Sequence, residues 1–350
     1  VNLTLERFGL PTHPLDAYRT MVGNGAENLI RRAAPGQPEE RIQELLAFYG
    51  PYYRENGTRY SKPYPGIPEL LHTLSERGVK LAGNGYWLYT DLGAQLEWAL
   101  LNYFITTHIK DGYTFMLPPH ILTYECGYTA GQFPKFKEDV YRVSTGDDSF
   151  HFLLPTAETA LINLYRGEIL EEKDLPKRMF AYTPCYRSEA GTYRASERGM
   201  IRGHQFNKVE MFGYTRPEDS DAMLKELIGK ACALVEGLGL HYRLSKLAAG
   251  DCSASMATTY DIELWIPSMN EYKECSSVSN AHEYQARRGN IRFRRADSKK
   301  TEYLHTLNGS GLATSRVIPA IVEQYQQADG SVVVPEVLRP FLGVDVLRKK

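Results

Sequence analysis

Apolar positions along this chain follow two rhythms, and the rhythm changes near residue 82. Before that point they recur at helical intervals. Ile42, Leu45, Leu46 and Tyr49 line one face of a helix predicted over about 38–49. An earlier helix covers about 26–33, behind a break at Gly23-Asn24-Gly25, and Asp16-Ala17-Tyr18-Arg19 leads into another. Tyr64-Pro65-Gly66 reads as a turn. Pro68 sits in the first turn of a helix over about 67–77, where a missing N–H costs nothing. Gly78-Val79-Lys80-Leu81 begins like a strand.

Beyond residue 82 helices and strands are mixed. A helix over about 91–109 places Leu92, Leu96, Ala99, Leu100 and Tyr103 on one stripe. A strand over 112–119 follows and ends in paired prolines, as an edge strand can. Positions 179–187 are rich in apolar and aromatic residues, as a buried strand is. From 206 to 212 the pattern alternates: Phe206, Lys208, Glu210 and Phe212 share one face, Asn207, Val209 and Met211 the other. An amphipathic helix over about 219–239 spaces Met223, Leu227, Ala231 and Leu234 for burial. The run 259–266 alternates cleanly, so it is a strand with one polar face. A last strand covers 332–334.

Chemistry enters where charge interrupts these patterns. A sheet face holding Lys208 and Glu210 between aromatics is costly unless the charges meet each other or a ligand. The strand before it ends in Tyr186-Arg187-Ser188-Glu189, and the intervening loop carries Arg194, Glu197 and Arg198. Arginine pairs with phosphate and carboxylate oxygens in a bidentate way, and Phe206 offers a ring for a base. An ordinary hairpin with a solvated loop is the plainer alternative. Glu274 and Ser277 form a second constellation, either ordinary surface decoration or oxygen ligands of the kind that suit Mg2+. The third is Leu307-Asn308-Gly309-Ser310-Gly311-Leu312-Ala313-Thr314-Ser315-Arg316, read as a glycine turn that lets backbone approach a ligand, with Arg316 in the early turns of a helix. Thr156 and Glu158 precede an apolar stretch, where Glu158 reads as a helix-start carboxylate that complements the helix dipole. Arg287, Arg288, Arg292, Arg294 and Arg295 form either a solvated face or a phosphate contact.

Composition narrows the classes. Hydrophobic content of 43% and charged content of 24% describe a soluble globular protein of 350 residues. Lys+Arg of 41 against Asp+Glu of 42 leave no global charge, so any nucleic acid would have to use local patches. The five cysteines are widely spaced with no CxxC pair, which disfavours a zinc site or a disulfide framework and fits reduced thiols in a cytoplasmic protein. No apolar run approaches a membrane span.

Taken together, the motifs resemble those of class II aminoacyl-tRNA synthetases. Tyr186-Arg187-Ser188-Glu189 with its return strand is similar to motif 2, and the 91–119 block to motif 1. The run through Arg316 is similar to motif 3. With Pro155-Thr156-Ala157-Glu158 and Gly131-Gln132-Phe133-Pro134-Lys135-Phe136, the likeness is to the seryl-tRNA synthetase family over about 82–342. No one motif is specific; several in the family's order are. The resemblance implies an α+β fold, a mostly antiparallel sheet with flanking helices, over 82–350, behind a small helical module over 1–81. It implies a ligase that activates serine with ATP and Mg2+, working as a homodimer through motif 1, without a membrane. ATP would be held by Arg187, Glu189, Arg202, Phe206, Glu274, Ser277 and Arg316, with Arg187 and Arg316 catalytic and Glu274 and Ser277 on the metal. Serine would be held by Thr156, Glu158, Arg187, Glu210, Asn308 and Ser310.

The N-terminal part departs from that family, which carries a long helical hairpin there to grip tRNA. Leu15 to Ala26 and Pro63 to Leu71 instead resemble the cap region of phosphoglycolate phosphatase and its haloacid-dehalogenase relatives. The nucleophilic Asp run of those phosphatases is missing, so a phosphatase activity is disfavoured. The segment is expected to be a packing or binding module, from a natural or engineered fusion. The acceptor is then either a tRNA acceptor end, charged poorly without the hairpin, or another carrier such as a carrier protein. A non-catalytic binding paralogue is the remaining alternative.

Overall fold

A computed structural model describes residues 1–21, 25–56, 85–188 and 201–348. By contacts, the chain divides into two compact units, Val1–Ala82 and Gly83–Lys350.

The described part of the first unit is helical: α1 (Asn2–Arg7), α2 (Tyr18–Met21), α3 (Gly25–Ala33) and α4 (Glu39–Asn56). Leu5, Ile30, Ala33, Ile42, Leu45 and Tyr49 bury together, so each helix contributes one apolar face to a small core. Asn2 ties the entry of the chain to His13, donating to its carbonyl at 2.8 Å and accepting from its N–H at 3.0 Å. Helix α4 runs past the predicted end at 49 and absorbs Pro51, near its C-terminal end. The motif from Pro63 to Leu71, the predicted helix over 67–77 and the strand beginning at Gly78 lie outside the described residues.

The second unit is built on a seven-stranded sheet. Its strands are β1 (Thr114–Met116), β2 (Lys177–Tyr186), β3 (Gln205–Thr215), β4 (Tyr242–Lys246), β5 (Thr258–Ile266), β6 (Glu271–Asn280) and β7 (His305–Ala313). Their spatial order is β1-β2-β3-β7-β6-β5-β4. Among the described residues of this sheet, only β1, beside β2, pairs parallel; the other ladders of the sheet are antiparallel. This is the α+β class with an antiparallel sheet. Strand β1 is shorter than the predicted 112–119, because Gly112 has a positive φ of 83° and the prolines after Leu117 have no N–H to donate.

Alternation then sorts the two faces. Val209, Met211, Ile262, Leu264, Val278 and Leu307 point into the main core. Helices α5 (Asp91–Lys110), α6 (Ser220–Gly237) and α7 (Thr314–Gln324) close that core with Leu100, Phe104, Leu227, Leu234 and Ile321. Their neighbours Lys208, Glu210, Asp261 and Asn308 necessarily point the other way. That second face is walled at one end by Phe212, Tyr214, Leu161 and Phe293 and elsewhere by Phe133, Phe152 and Leu154. The result is a polar floor inside an apolar rim.

The glycines of 309 and 311 do not form the predicted turn. Both lie within β7, on its core side. A methyl group at Gly311 would fall 2.2 Å from Nε2 of His108, a buried residue of α5 that bonds the Gly311 carbonyl at 3.2 Å. The missing side chain therefore serves packing between α5 and β7, not ligand approach.

Candidate active site

Three segments distant in sequence meet on the polar floor. Strand β3 supplies Lys208 and Glu210, and the adjacent β7 supplies Asn308 and Ser310, with Ser310 opposite Glu210 in register and Asn308 opposite Phe212. The one-turn helix Glu158–Leu161 supplies Glu158, with Thr156 just before it.

Their side chains interlock. Lys208 Nζ lies 2.5 Å from Glu210 Oε2 and donates to Thr156 Oγ1 at 2.8 Å. Asn308 Nδ2 donates to Glu158 Oε2 at 3.3 Å and to Glu210 Oε1 at 3.2 Å. Ser310 Oγ donates to Glu210 Oε2 at 3.3 Å. The sheet charges therefore meet each other, which answers the cost of placing them there. Burial, and then the neighbouring Glu210 charge, push the Glu158 carboxyl up to about 7; Gln285, Lys208 and Arg187 pull the other way. Both carboxylates are almost wholly buried.

Arg187 follows β2 at the rim. Its backbone is clamped by His204: Arg187 N–H donates to the His204 carbonyl at 2.8 Å, and the His204 ring Nδ1–H donates back to the Arg187 carbonyl at 3.0 Å. Its guanidinium lies 5.1 Å from the centre of the Phe206 ring. Phe206 thus already has a cation on its ring. Gly203, beside His204, is forced by the Trp87 ring, which a methyl group there would meet at 2.0 Å. Arg202 is half-buried next to it. Glu189, with Arg194 and Arg198, lies outside the described residues.

The second constellation depends on an irregularity. Residues three apart on a regular strand face opposite ways. Between Glu274 and Ser276 the register of β6 on β5 shifts by a bulge, so Glu274 stands opposite Glu263 and Ser277 opposite Asp261. The extra residue puts Glu274 and Ser277 on one face. Asp261 belongs to that group and was not singled out from the sequence. Its carboxyl is pushed up to about 6, first by burial and then by the Glu274 charge. Its Oδ1 is buried without a hydrogen-bond partner. The clean alternation of 259–266 was the signal that could have found it.

Arg316, in the first turn of α7, joins the two halves. Its Nε donates to the Ile201 carbonyl at 3.2 Å and its Nη1 to the Glu274 carbonyl at 2.5 Å, with the Glu274 carboxylate at 3.5 Å. The Arg287–Arg295 run, by contrast, mostly serves the fold. Arg288 caps the Tyr128 ring at 3.8 Å and donates to the Phe133 carbonyl at 2.7 Å. Arg295 bridges Glu218 and Glu302. Sequence reasoning missed Lys208 as a partner of Thr156, and missed His204, Asp261 and Gln285.

The arrangement offers carboxylates for an ammonium and a hydroxyl, arginines for phosphates, and a hard-oxygen group for a cation. Residues 141–325 match the family model described as the tRNA synthetase class II core domain (G, H, P, S and T). The chain is 74% identical over 281 residues to serine–tRNA ligase 2 of Clostridium acetobutylicum, covering 79% of this chain and 66% of the relative. It is 50% identical over 284 residues to a serine–tRNA ligase of a Geobacter species, covering 81% and 67%. Among solved structures it is similar to seryl-tRNA synthetase of Pyrococcus horikoshii complexed with ATP, with a TM-score of 0.73, 34% identity, and coverage of 86% of this chain and 68% of that one. The chain spans about two thirds of the length of these relatives. On this sheet, this site and these likenesses, the chain belongs to the class II tRNA synthetases, in the serine–tRNA ligase family.

Proposed function

We propose that the chain joins serine to ATP, giving seryl-adenylate and pyrophosphate, and passes the seryl group to the acceptor end of a tRNA. One observation carries this reading: Thr156, Glu158, Glu210, Asn308 and Ser310 form one buried polar cluster, flanked by Arg187 and Phe206. A carboxylate oxygen of serine attacks the α-phosphorus, and the bond to the departing pyrophosphate breaks. Glu158 takes the ammonium and Glu210 the side-chain hydroxyl. A site built to bond a hydroxyl leaves buried groups unpaired when alanine binds, which is the basis of selection. Arg187 holds the carboxylate and α-phosphate, and Arg316, with help from Arg202, the departing phosphates. Phe206 stacks on the base, whose amino group falls to Glu189.

Glu274, Ser277 and the orphaned oxygen of Asp261 suit Mg2+, a hard cation that takes oxygen ligands. When bound, it would offset the charge developing on the phosphates. The test is serine-dependent ATP–pyrophosphate exchange. Exchange is expected with serine and Mg2+, with little from alanine and none after chelation. Exchange that ignores serine would remove the reading. The relatives carry the names of tRNA ligases, which favours tRNA over a carrier protein as acceptor.

The protein acts as a homodimer in this reading, in the cytoplasm; among the described residues no helix is long and apolar enough to cross a membrane. Trp98 on α5, and Phe115 and Leu117 at β1, are exposed large apolar residues, and a cleft of about 220 Å³ opens beside Trp98 and Phe341. Light scattering is expected to report a dimer at micromolar concentration, and Trp98→Glu to shift it to monomer. A monomeric wild-type protein would count against the interface. The first unit is kept as a cap-like packing or binding module, on the residues of its resemblance alone.

A further inference from the structure

Gln285 lies outside every group the reaction has used so far, yet it is buried and fully engaged. It sits in the helix Tyr284–Gly289, packed behind the polar floor. Its Nε2 donates to Glu158 Oε1 at 2.6 Å and to the Ala130 carbonyl at 3.1 Å. Its Oε1 accepts from Thr306 Oγ1 at 2.7 Å. The orientation of the amide is therefore determined. Flipping it would set Oε1 against the Ala130 carbonyl at any pH and against the Glu158 carboxylate once that group is ionised, acceptors with no proton between them. Thr306 stands two residues before Asn308 on β7, so one strand holds both oxygens of Glu158, one through Gln285 and one through Asn308.

We propose that Gln285 is a positioning residue for the amino end of the substrate: by holding Oε1 of Glu158 from behind, it presents this carboxylate to the α-ammonium of an amino acid. The inference rests on the serine-activating reading of the same site. The groups facing Glu158 are Glu210 and Lys208 from β3, Arg187 after β2, and Asn308 from β7. Glu210 disfavours its ionised form and the two cations favour it. The Gln285 donor adds to the favourable side. A neutral Glu158 would offer an ammonium only a weak acceptor, so the role of Gln285 depends on pH.

The experiment compares wild type with Gln285→Met, which keeps the bulk and removes every bond, and with Thr306→Val, which frees the amide to turn. Serine and ATP binding are titrated separately by calorimetry from pH 6.5 to 8.5, alongside KM values in pyrophosphate exchange. For wild type, serine affinity is expected to rise as pH climbs through about 7, where Glu158 ionises. For Gln285→Met, serine binding is expected to weaken roughly tenfold or more at neutral pH, with the deficit shrinking toward pH 8.5 and ATP binding unchanged. Thr306→Val is expected to show the same pattern, smaller. Unchanged serine binding in a folded Gln285→Met overturns the proposal, as does an equal loss of serine and ATP at every pH. Should Gln285→Met fail to fold, normal serine binding by Thr306→Val overturns it. Failure of wild type itself to bind serine overturns the functional reading and this inference with it.

Discussion

Replacing Arg316 by alanine is expected to lower serine-dependent pyrophosphate exchange by roughly 10²–10³-fold, the usual loss for one transition-state donor. The guanidinium is half-buried and fixed by two backbone carbonyls, Ile201 and Glu274, that belong to segments distant in sequence. Bonds from a charged donor contribute about 1.5–3 kcal/mol each, so a folded variant has to be verified by its melt. What they do is set the plane of the side chain beside the Glu274 carboxylate. A phosphate arriving there meets a cation already in position, with no reorganisation needed at the moment of bond breaking. Arg316→Lys keeps the charge and loses the planar fork, so an intermediate rate is expected. The measurement is exchange at saturating serine and ATP, with a thermal melt as control. Exchange near wild type in a folded Arg316→Ala would take this residue out of the reaction.

Much of the sheet was legible from alternation alone. Strands β2, β3 and β5 fall where the apolar rhythm put them, as do α5 and α6. The faces of β3 were also correct: Val209 and Met211 face the main core, and Lys208 and Glu210 the polar floor. The rest was not legible, or was read without its cause, for one physical reason: each feature depends on a neighbour distant in sequence. The Glu274–Ser277 pair shares a face only because β6 bulges against β5. A spacing of three would otherwise separate them. Gly311 reads locally as a turn, but β7 continues as a strand between β3 and β6, with only a register shift between Ser310 and Ala313, and His108 of α5 occupies the space. The basic run around Arg288 and Arg295 reads as a solvated face or a phosphate contact until Tyr128, Glu218 and Glu302 arrive from elsewhere. Gln285 sits in the same run and carried no local signal, since its three partners come from three other segments.

Lys208→Met should cost the fold more than any other single change at the site, about 3–5 kcal/mol near neutral pH. Lys208 is the cation against Glu210, and its charge also favours the ionised form of Glu158. Its removal leaves two carboxyl groups in one buried cluster, with Thr156 also losing its donor. Taking a charge out of water without its partner is the expensive case, whereas replacing both partners can be nearly neutral. The double variant Lys208→Met with Glu210→Gln is therefore expected to recover much of the loss. The pH dependence has a definite sign. The Glu158 carboxyl already titrates near 7, above its unfolded value, and without Lys208 it moves further up. A group raised in this way contributes stability that is present at low pH and lost as pH rises through the folded value. The Lys208→Met deficit should therefore be smaller at pH 6 than at pH 8. Denaturant melts of wild type, single and double variants at both pH values measure it. A deficit independent of pH, or a double variant no better than the single, would mean that Lys208 contributes through packing of its stem and not through its charge.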